Sequence, residues 1–493
     1  MSIQSPFASK APKSFATTLT KLLGHDVVFA SEEERELHSY DAWPLAAKWK
    51  LQKKRPYSPD LVVRPHTTAQ IQQLMRFATR HQVPITPWGL GSSVTGACLP
   101  LYRGITLDLS AMNRTIDIDE CNLMVTVEAG KRGSDLEKEL NERGYTLGNS
   151  PQSLDRSSVG GWLSTRATGQ FSSLYGGIED LTVRFAAVLA SGEVIQTQFA
   201  PRSAVGPDLR HVFLGAEGTM GVITDVTLKI FPLPQKRVLQ AIRFRSVESG
   251  LKAMQAMMQG RLRPFLVRFY DEDEAPHAMK DSAFADCVMF LGFEGRAAVV
   301  DVEYDAALQI MQEHGGVALG EDPVNAWMDR RFDFSAVENL LAETGGMAET
   351  MEVAHFWSGI HDTYRDLKKA LAPCANEVLG HFSHAYPQGT SLYIILLGKV
   401  ADDRSAEKAI LTAWKKTMEV CRKRHATISH HHGVGIVRLP YVDGELGAAK
   451  NILRKLKRAL DPANILNPGK LALPLPAGRS AAAPKSRRSR KKV

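Results

Sequence analysis

Residues 151–181, PQSLDRSSVGGWLSTRATGQFSSLYGGIEDL, constrain this chain more than any other stretch. Gly160-Gly161 lets a backbone come closer to a ligand than any Cβ would allow. Ser157, Ser158, Ser164 and Thr165 offer hydroxyl donors for phosphate or ring heteroatoms, and Arg166 adds a fixed cation. An earlier segment, Pro87-Trp88-Gly89-Leu90-Gly91-Ser92-Ser93, has the same character. Two separate glycine/hydroxyl loops predict a ligand with a pyrophosphate and a second large ring system, a description that a flavin dinucleotide meets. Neither loop follows the Rossmann template, because no glycine opens a helix with a ribose-binding acid at the right distance. Gly89-x-Gly91 taken alone reads more readily as a tight turn than as a phosphate contact.

The spacing of apolar residues divides the chain. A length of 493 residues exceeds one ordinary core and predicts two or three domains. Residues 56–235 alternate strands and helices: a strand at 61–65, a helix over 68–81 with Ile71, Leu74 and Phe77 on one side, and a strand at 85–88 entering the first glycine loop. Further strands are expected at 105–109, 123–128, 184–189 and 222–230, with Ser191-Gly192 as a hairpin turn. Pro232 and Pro234 mark a boundary. Residues 236–475 restart with their own pattern: alternation at 240–244, a helix at 247–260, an apolar strand at 391–397, and an amphipathic helix at 406–424 followed by a strand running into a histidine triplet. Residues 1–55 read as a short, mostly helical lead-in, and 476–493 as a basic disordered tail.

Charge and cysteine usage narrow the partners. The net charge is +8, and seven basic residues (Arg479, Lys485, Arg487, Arg488, Arg490, Lys491, Lys492) stand in the last fifteen positions, which hold no acid. Without them the body sits near neutrality, so no nucleic-acid binding by the folded body is expected. The tail alone could meet anionic lipid as a peripheral membrane contact. Five cysteines, widely spaced and without a CxxC, predict neither a disulfide framework nor a zinc site. A reducing, cytoplasmic setting is the simplest expectation, and no apolar run has the length of a membrane span.

Three segments resemble one family. Pro87–Thr95 is similar to its PxGGGTSVT loop, Pro151–Gly169 to its PDS-x-x-x-S-x-VGGW-x-STRASG segment, and Tyr175–Leu181 to its YG-x-IEDL. The likeness continues through Gly206-Pro207-Asp208, Glu217–Thr224, Ser429–Gly435 and Asp461–Ile465. It resembles the alkyldihydroxyacetonephosphate synthases, a branch of the vanillyl-alcohol-oxidase (PCMH-type) FAD-linked oxidases. The resemblance implies an α+β protein: a two-subdomain PCMH-type FAD-binding domain over 56–235, then an α/β cap domain of the FAD-linked oxidase C-terminal kind over 236–475. It also implies a homodimer acting on a lipid-like or hydroxy-acid small molecule.

By the same resemblance the FAD contacts are Pro87, Trp88, Gly89, Leu90, Gly91, Ser92 and Ser93; Pro151, Gln152, Ser153, Leu154, Asp155, Arg156 and Ser157; Ser164, Thr165, Arg166 and Ala167; and Glu217, Gly218, Thr219, Met220, Gly221, Val222 and Ile223. Some relatives tether FAD through a histidine in the first loop. Ser92 and Ser93 stand there instead, so a noncovalent, dissociable FAD is expected.

The chemistry is expected on the second domain. Tyr393, in Gly389-Thr390-Ser391-Leu392-Tyr393, occupies the position of the family's catalytic acid/base; a half-buried strand tyrosine is the alternative. His430, His431 and His432 follow, and in a strand the first and third would share a face. They are read as acid/base or substrate-orienting groups, with a structural cluster or metal ligands as alternatives. Arg268 matches a supporting arginine of the family and would otherwise pair with Asp271 or Glu272 at the surface. His381 stands where the synthases carry a substrate-contacting arginine, which weakens the case for a phosphorylated substrate.

Two activities follow from the resemblance. One exchanges the acyl group of acyl-dihydroxyacetone phosphate for a fatty alcohol, with the flavin as a covalent electrophile and no net redox change. The other is a metal-free FAD-linked oxidation of a hydroxy acid or other alcohol. Hydroxy-acid dehydrogenases of the wider family hold a divalent metal with histidine and glutamate; Tyr393 and His431 occupy those positions here, so no metal is expected.

Overall fold

A capping box starts the helix Thr68–His81 where its periodicity places it: Thr67 accepts from the Gln70 backbone, and the Gln70 side chain accepts from the Thr67 backbone. Ile71, Leu74, Met75 and Ala78 then face the core. This computed structural model describes residues 13–473. The helix lies beside a four-stranded sheet in the order Val28–Phe29, Leu61–Val63, Ile105–Asp108, Ile85–Trp88, in which the last three strands pair in parallel. A second, five-stranded antiparallel sheet orders Thr115–Asp119, Met124–Glu128, Val222–Lys229, Thr182–Val188 and Val194–Gln196. The expected hairpin at Ser191-Gly192 joins the last two, with Gly192 at φ +80°. One apolar core joins both sheets.

The second half folds around a seven-stranded antiparallel sheet. Its order is Val317–Gly320, Lys236–Phe244, Cys287–Gly295, Leu266–Tyr270, Glu377–Ala385, Gly389–Lys399, Gly346–Phe356. Side chains alternate across a strand, and here the two faces differ in chemistry. Phe269, Phe382, Leu392, Ile394 and Val353 turn into an apolar core with the helices Val247–Gln259, Trp357–Leu371 and Asp403–Arg424. Arg268, Tyr270, His381, Ser383, Ser391, Tyr393 and Glu352 occupy the alternate positions. The architecture is the expected one: an FAD-binding domain of two subdomains, then a cap domain.

Two features differ from the linear reading. The lead-in is divided between the cores: Leu19, Leu23 and Val27 pack on the first, while Trp43, Leu45 and Trp49 join the second. Residues 461–473 return to the first domain. Ile85 bridges Leu466, Asn467 donates to the carbonyls of Glu217 and Ala97, and the Lys470 ammonium donates to the carbonyls of Gly96 and Ala97. No helix among the described residues is long and apolar enough to cross a membrane. The basic tail lies outside the described residues.

Candidate active site

Register builds the site. On three adjacent strands Tyr393 pairs with His381 on one side and Glu352 on the other, and His381 pairs in turn with Tyr270. Four polar side chains therefore stand in a row on the face opposite the apolar core. A β-bulge between Ser383 and Ala385 adds a further member. It holds His384 at φ +53° and turns its ring to the same side.

Tyr393 is buried, 8% exposed, and its hydroxyl lies 2.7 Å from His431 Nε2 and 3.2 Å from His384 Nε2. The His381 ring stacks on the phenol with centroids 4.5 Å apart and planes 17° apart. His381 Nδ1 donates to the Glu274 carboxylate at 2.8 Å, which leaves Nε2 as a buried acceptor without a partner among the described residues. Burial is the main reason that His381, His384, His430 and His431 are held below the usual imidazole range, His384 and His431 well below it. His432 is pushed down to about 4 by the same cause. Burial, with the Glu352 carboxylate second, raises Tyr393 above the usual phenol range. At neutral pH the site thus holds a neutral phenol among neutral imidazoles.

The histidine triplet is not the strand that the sequence suggested. Past Ala426 only one isolated bridge, Thr427 with Ala354, extends the sheet. Glu352 explains the departure. Its buried carboxylate accepts from the backbone N–H groups of His430 and His432, from the Ser429 hydroxyl and from Arg438, and this gathers the triplet into a bend. The strand argument placed His430 and His432 together. Instead His431 alone bonds to Tyr393, His430 reaches the Tyr386 hydroxyl at 2.9 Å, and the His432 ring meets Tyr393 edge-on at 5.9 Å. Arg438, fully buried, also donates to the Gly433 carbonyl and lies over the Trp414 ring.

Arg268 is buried and makes no pair with Asp271 or Glu272, contrary to the surface alternative. Asp271 takes Lys368 and Tyr364 instead. The Arg268 guanidinium gives one N–H to the Tyr270 hydroxyl at 2.7 Å and lies over the Tyr270 and Trp327 rings. No carboxylate pairs with it among the described residues, so its remaining donors are available to an anion.

The cofactor segments converge from both domains. A Cβ on Gly89 would come within 2.2 Å of Ser158 Oγ, and one on Gly433 within 2.7 Å of Glu217 and 3.3 Å of Thr165. The backbone N–H groups of Gly89, Leu90, Gly91 and Ser92 donate to no other described residue. Asn149, Ser150 and Gln170 lie side by side, buried, and their side-chain polar atoms lack partners. Free amide donors in one segment and unsatisfied amide and hydroxyl groups in another suit a pyrophosphate and a polar-edged ring, so the residues present fit FAD. Asn149, Ser150 and Gln170 were not singled out in the sequence; their position flanking Pro151 and Gly169 was the available signal.

Other assigned residues have different surroundings. Ser164 and Thr165 give their hydroxyls to the carbonyls of Gly160 and Gly161, Ser157 gives its own to Ser153, and Ser158 caps the helix Val159–Thr165. Arg166 is half exposed and pairs with Glu179; Arg156 points outward to Glu338. Glu217 clamps the backbone N–H groups of Val434 and Gly435. Leu154, Met220, Val222 and Ile223 are core residues. Among the described residues, no group of three or more His, Cys, Asp or Glu is arranged to hold a metal ion.

Comparison with known proteins gives a consistent frame. The profile of the FAD binding domain matches residues 59–198, and that of the FAD linked oxidases, C-terminal domain, matches residues 233–471. The chain is 31% identical to an uncharacterized FAD-linked oxidoreductase, YgcU, of Escherichia coli (strain K12), over 83% of this chain and 88% of that one. It is 28% identical to an alkyldihydroxyacetonephosphate synthase of Dictyostelium discoideum, over 84% of this chain and 73% of that one. A solved structure of an alkyldihydroxyacetonephosphate synthase superposes with a TM-score of 0.78 at 24% identity, covering 93% of this chain and 86% of that chain.

Proposed function

The chain belongs to the FAD-linked oxidase family, and from that premise we propose a flavin-dependent transferase of the alkyldihydroxyacetonephosphate synthase type. It exchanges the acyl group of acyl-dihydroxyacetone phosphate for a fatty alcohol. The observation that carries this reading is the Tyr393 hydroxyl, buried and held between His431 and His384. FAD, when bound, supplies an electrophilic ring system. The chain's own residues do the rest. Tyr393 takes the proton from the substrate carbon as its own proton passes to His431 Nε2. Glu352 keeps His431 in reach by fixing the backbone on either side of it. Arg268 offers the unpaired cation that a phosphate requires. The buried surroundings exclude water from the carbon being deprotonated.

A second reading rests on His381. Its Nε2 presents a lone pair and no cation, which suits a substrate hydroxyl. With Arg268 on a carboxylate, the site would then serve an FAD-linked oxidoreductase acting on a hydroxy acid or other alcohol. One experiment separates the two: FAD-loaded protein is incubated without oxygen with palmitoyl-dihydroxyacetone phosphate and hexadecanol, and the lipids are analysed. An ether lipid and free palmitate with the flavin still yellow support the transferase. No ether lipid, together with bleaching by lactate or glycolate, supports the oxidoreductase.

A further inference from the structure

Six polar side chains form one hydrogen-bonded chain through Tyr393. The Ser172 hydroxyl lies 2.9 Å from His384 Nδ1, and His384 Nε2 lies 3.2 Å from the Tyr393 hydroxyl. Tyr393 meets His431 Nε2 at 2.7 Å, His431 Nδ1 meets His430 Nδ1 at 2.9 Å, and His430 Nε2 meets the Tyr386 hydroxyl at 2.9 Å. Each neutral imidazole carries one N–H and one lone pair. Tyr393 has a single proton to give. Its 2.7 Å contact has the length of an O–H donor, and its 3.2 Å contact that of an N–H donor.

That assignment orders the rest. His384 carries its proton on Nε2 and accepts from Ser172 at Nδ1. His431 accepts at Nε2 and so carries its proton on Nδ1, which it gives to His430 Nδ1. His430 then carries its proton on Nε2 and gives it to the Tyr386 oxygen, which stands near the Ser172 side chain and the Glu179 and Asp180 carboxylates. The chain has one polarity from Ser172, on the FAD-binding domain, to Tyr386, on the cap. Tyr386 is half-buried and is followed in the chain by the exposed Pro387 and Gln388.

We infer that His431, His430 and Tyr386 form the path by which Tyr393 exchanges its proton with solvent at the half-buried Tyr386. The inference rests on Tyr393 being the acid/base of the reaction proposed above. A proton leaves the substrate C–H bond for the Tyr393 oxygen, and the electron pair stays on carbon. The Tyr393 proton moves to His431 Nε2, the His431 Nδ1 proton to His430 Nδ1, the His430 Nε2 proton to the Tyr386 oxygen, and the Tyr386 proton to a solvent water. Both imidazoles end neutral with their protons on the opposite nitrogens, and the reverse passage restores them. Burial disfavours an imidazolium here, so a relay that makes none suits the site. Tyr386 and His430 are positioning residues in this scheme, because they act through His431.

Two measurements test it. In FAD-loaded protein with ¹⁵N-labelled histidine, the resting tautomers should be Nδ1–H for His431 and Nε2–H for His430 and His384. An imidazolium at His430 or His431 near neutral pH, or the opposite tautomers, overturns the relay. Tyr386→Phe keeps the ring and removes only the terminal hydroxyl. Its kcat should fall roughly tenfold to a hundredfold, less than loss of the acid/base itself, with KM and FAD content unchanged. The solvent deuterium effect should change from a multi-proton dependence on deuterium fraction to a simpler, smaller one. Wild-type kcat and isotope effect in this variant refute the path. If the wild-type protein turns over none of the substrates named above, the functional reading fails, and the tautomer measurement still decides the relay.

Discussion

Replacing Tyr393 with phenylalanine removes one oxygen and leaves the ring. The stack on His381 and the pairing with the strands of His381 and Glu352 stay in place. Two contacts go, those to His431 at 2.7 Å and to His384 at 3.2 Å. Each imidazole nitrogen then faces an apolar edge, and a buried polar group left unpaired costs about 1–3 kcal/mol. The expected stability loss is therefore of that order, too small to unfold a domain of this size. Turnover should fall at least about a hundredfold, the usual worth of a general acid/base. Raising the pH should not restore it, because the lost oxygen, and not its ionisation, is what carries the proton. The assay is threefold: flavin absorbance for occupancy, a melting curve for stability, and kcat and KM on whichever substrate the anaerobic incubation identifies. Ordinary turnover with FAD bound would refute the acid/base role. Loss of FAD would instead place Tyr393 in the cofactor site.

Acid precipitation should release yellow flavin into the supernatant, since Ser92 and Ser93 stand where a tethering histidine would be; colour retained in a fully denatured pellet would show a covalent bond. Dialysis against a strong chelator should leave turnover intact, and a loss reversed by zinc or manganese would contradict this. Glu352→Gln removes the only charge that pairs with the fully buried Arg438 among the described residues, and breaking such a pair costs about 3–5 kcal/mol; Arg438→Met made in the Glu352→Gln background should recover part of that cost in a melting curve, and strictly additive losses would count against the pairing. The buried histidines should make stability decline as the pH falls. The buried histidines have folded pKa values below the unfolded 6.5, with His432 at about 4, so the unfolded chain binds more protons across that window. The melting temperature should drop below about pH 6.5 by less in His432→Asn than in the wild type, since Asp41 and Glu349, each raised to about 7 by burial, act in the opposite sense in both; equal profiles would mean that the His432 imidazole is charged in the fold.

The elements that the sequence made legible are those set by local rules. The helix Thr68–His81 carries its cap and its apolar stripe in adjacent residues, and Gly192 needs only its own φ to turn a hairpin. Tyr393 and the glycine loops stand out by resemblance, which needs only their neighbours in sequence. The shape of the histidine triplet is not legible in that way. Its shape comes from Glu352, which lies on a different strand, and no local pattern reveals that an acid will collect two backbone N–H groups from a distant segment. A glutamate inside the apolar run Met351–Ala354 was the available sign, since a charge at a buried strand position needs a partner. His384 was hidden for another reason: plain alternation assigns it to the core face, and only the bulge brings it to Tyr393.

The return of residues 461–473 to the first domain sets an order of events in the making of the protein. The loop that presents free amides at Gly89–Ser92 continues into Gly96 and Ala97, whose carbonyls are held by the Lys470 ammonium, and the Glu217 carbonyl is held by Asn467. On a ribosome, roughly 370 residues separate the emergence of that loop from the emergence of its clamp. The first domain can collapse around its sheets long before, but its cofactor cradle is finished last. FAD uptake is therefore expected only once residues 461–473 have been made, after the cap domain has been threaded between the two parts of the first domain's framework.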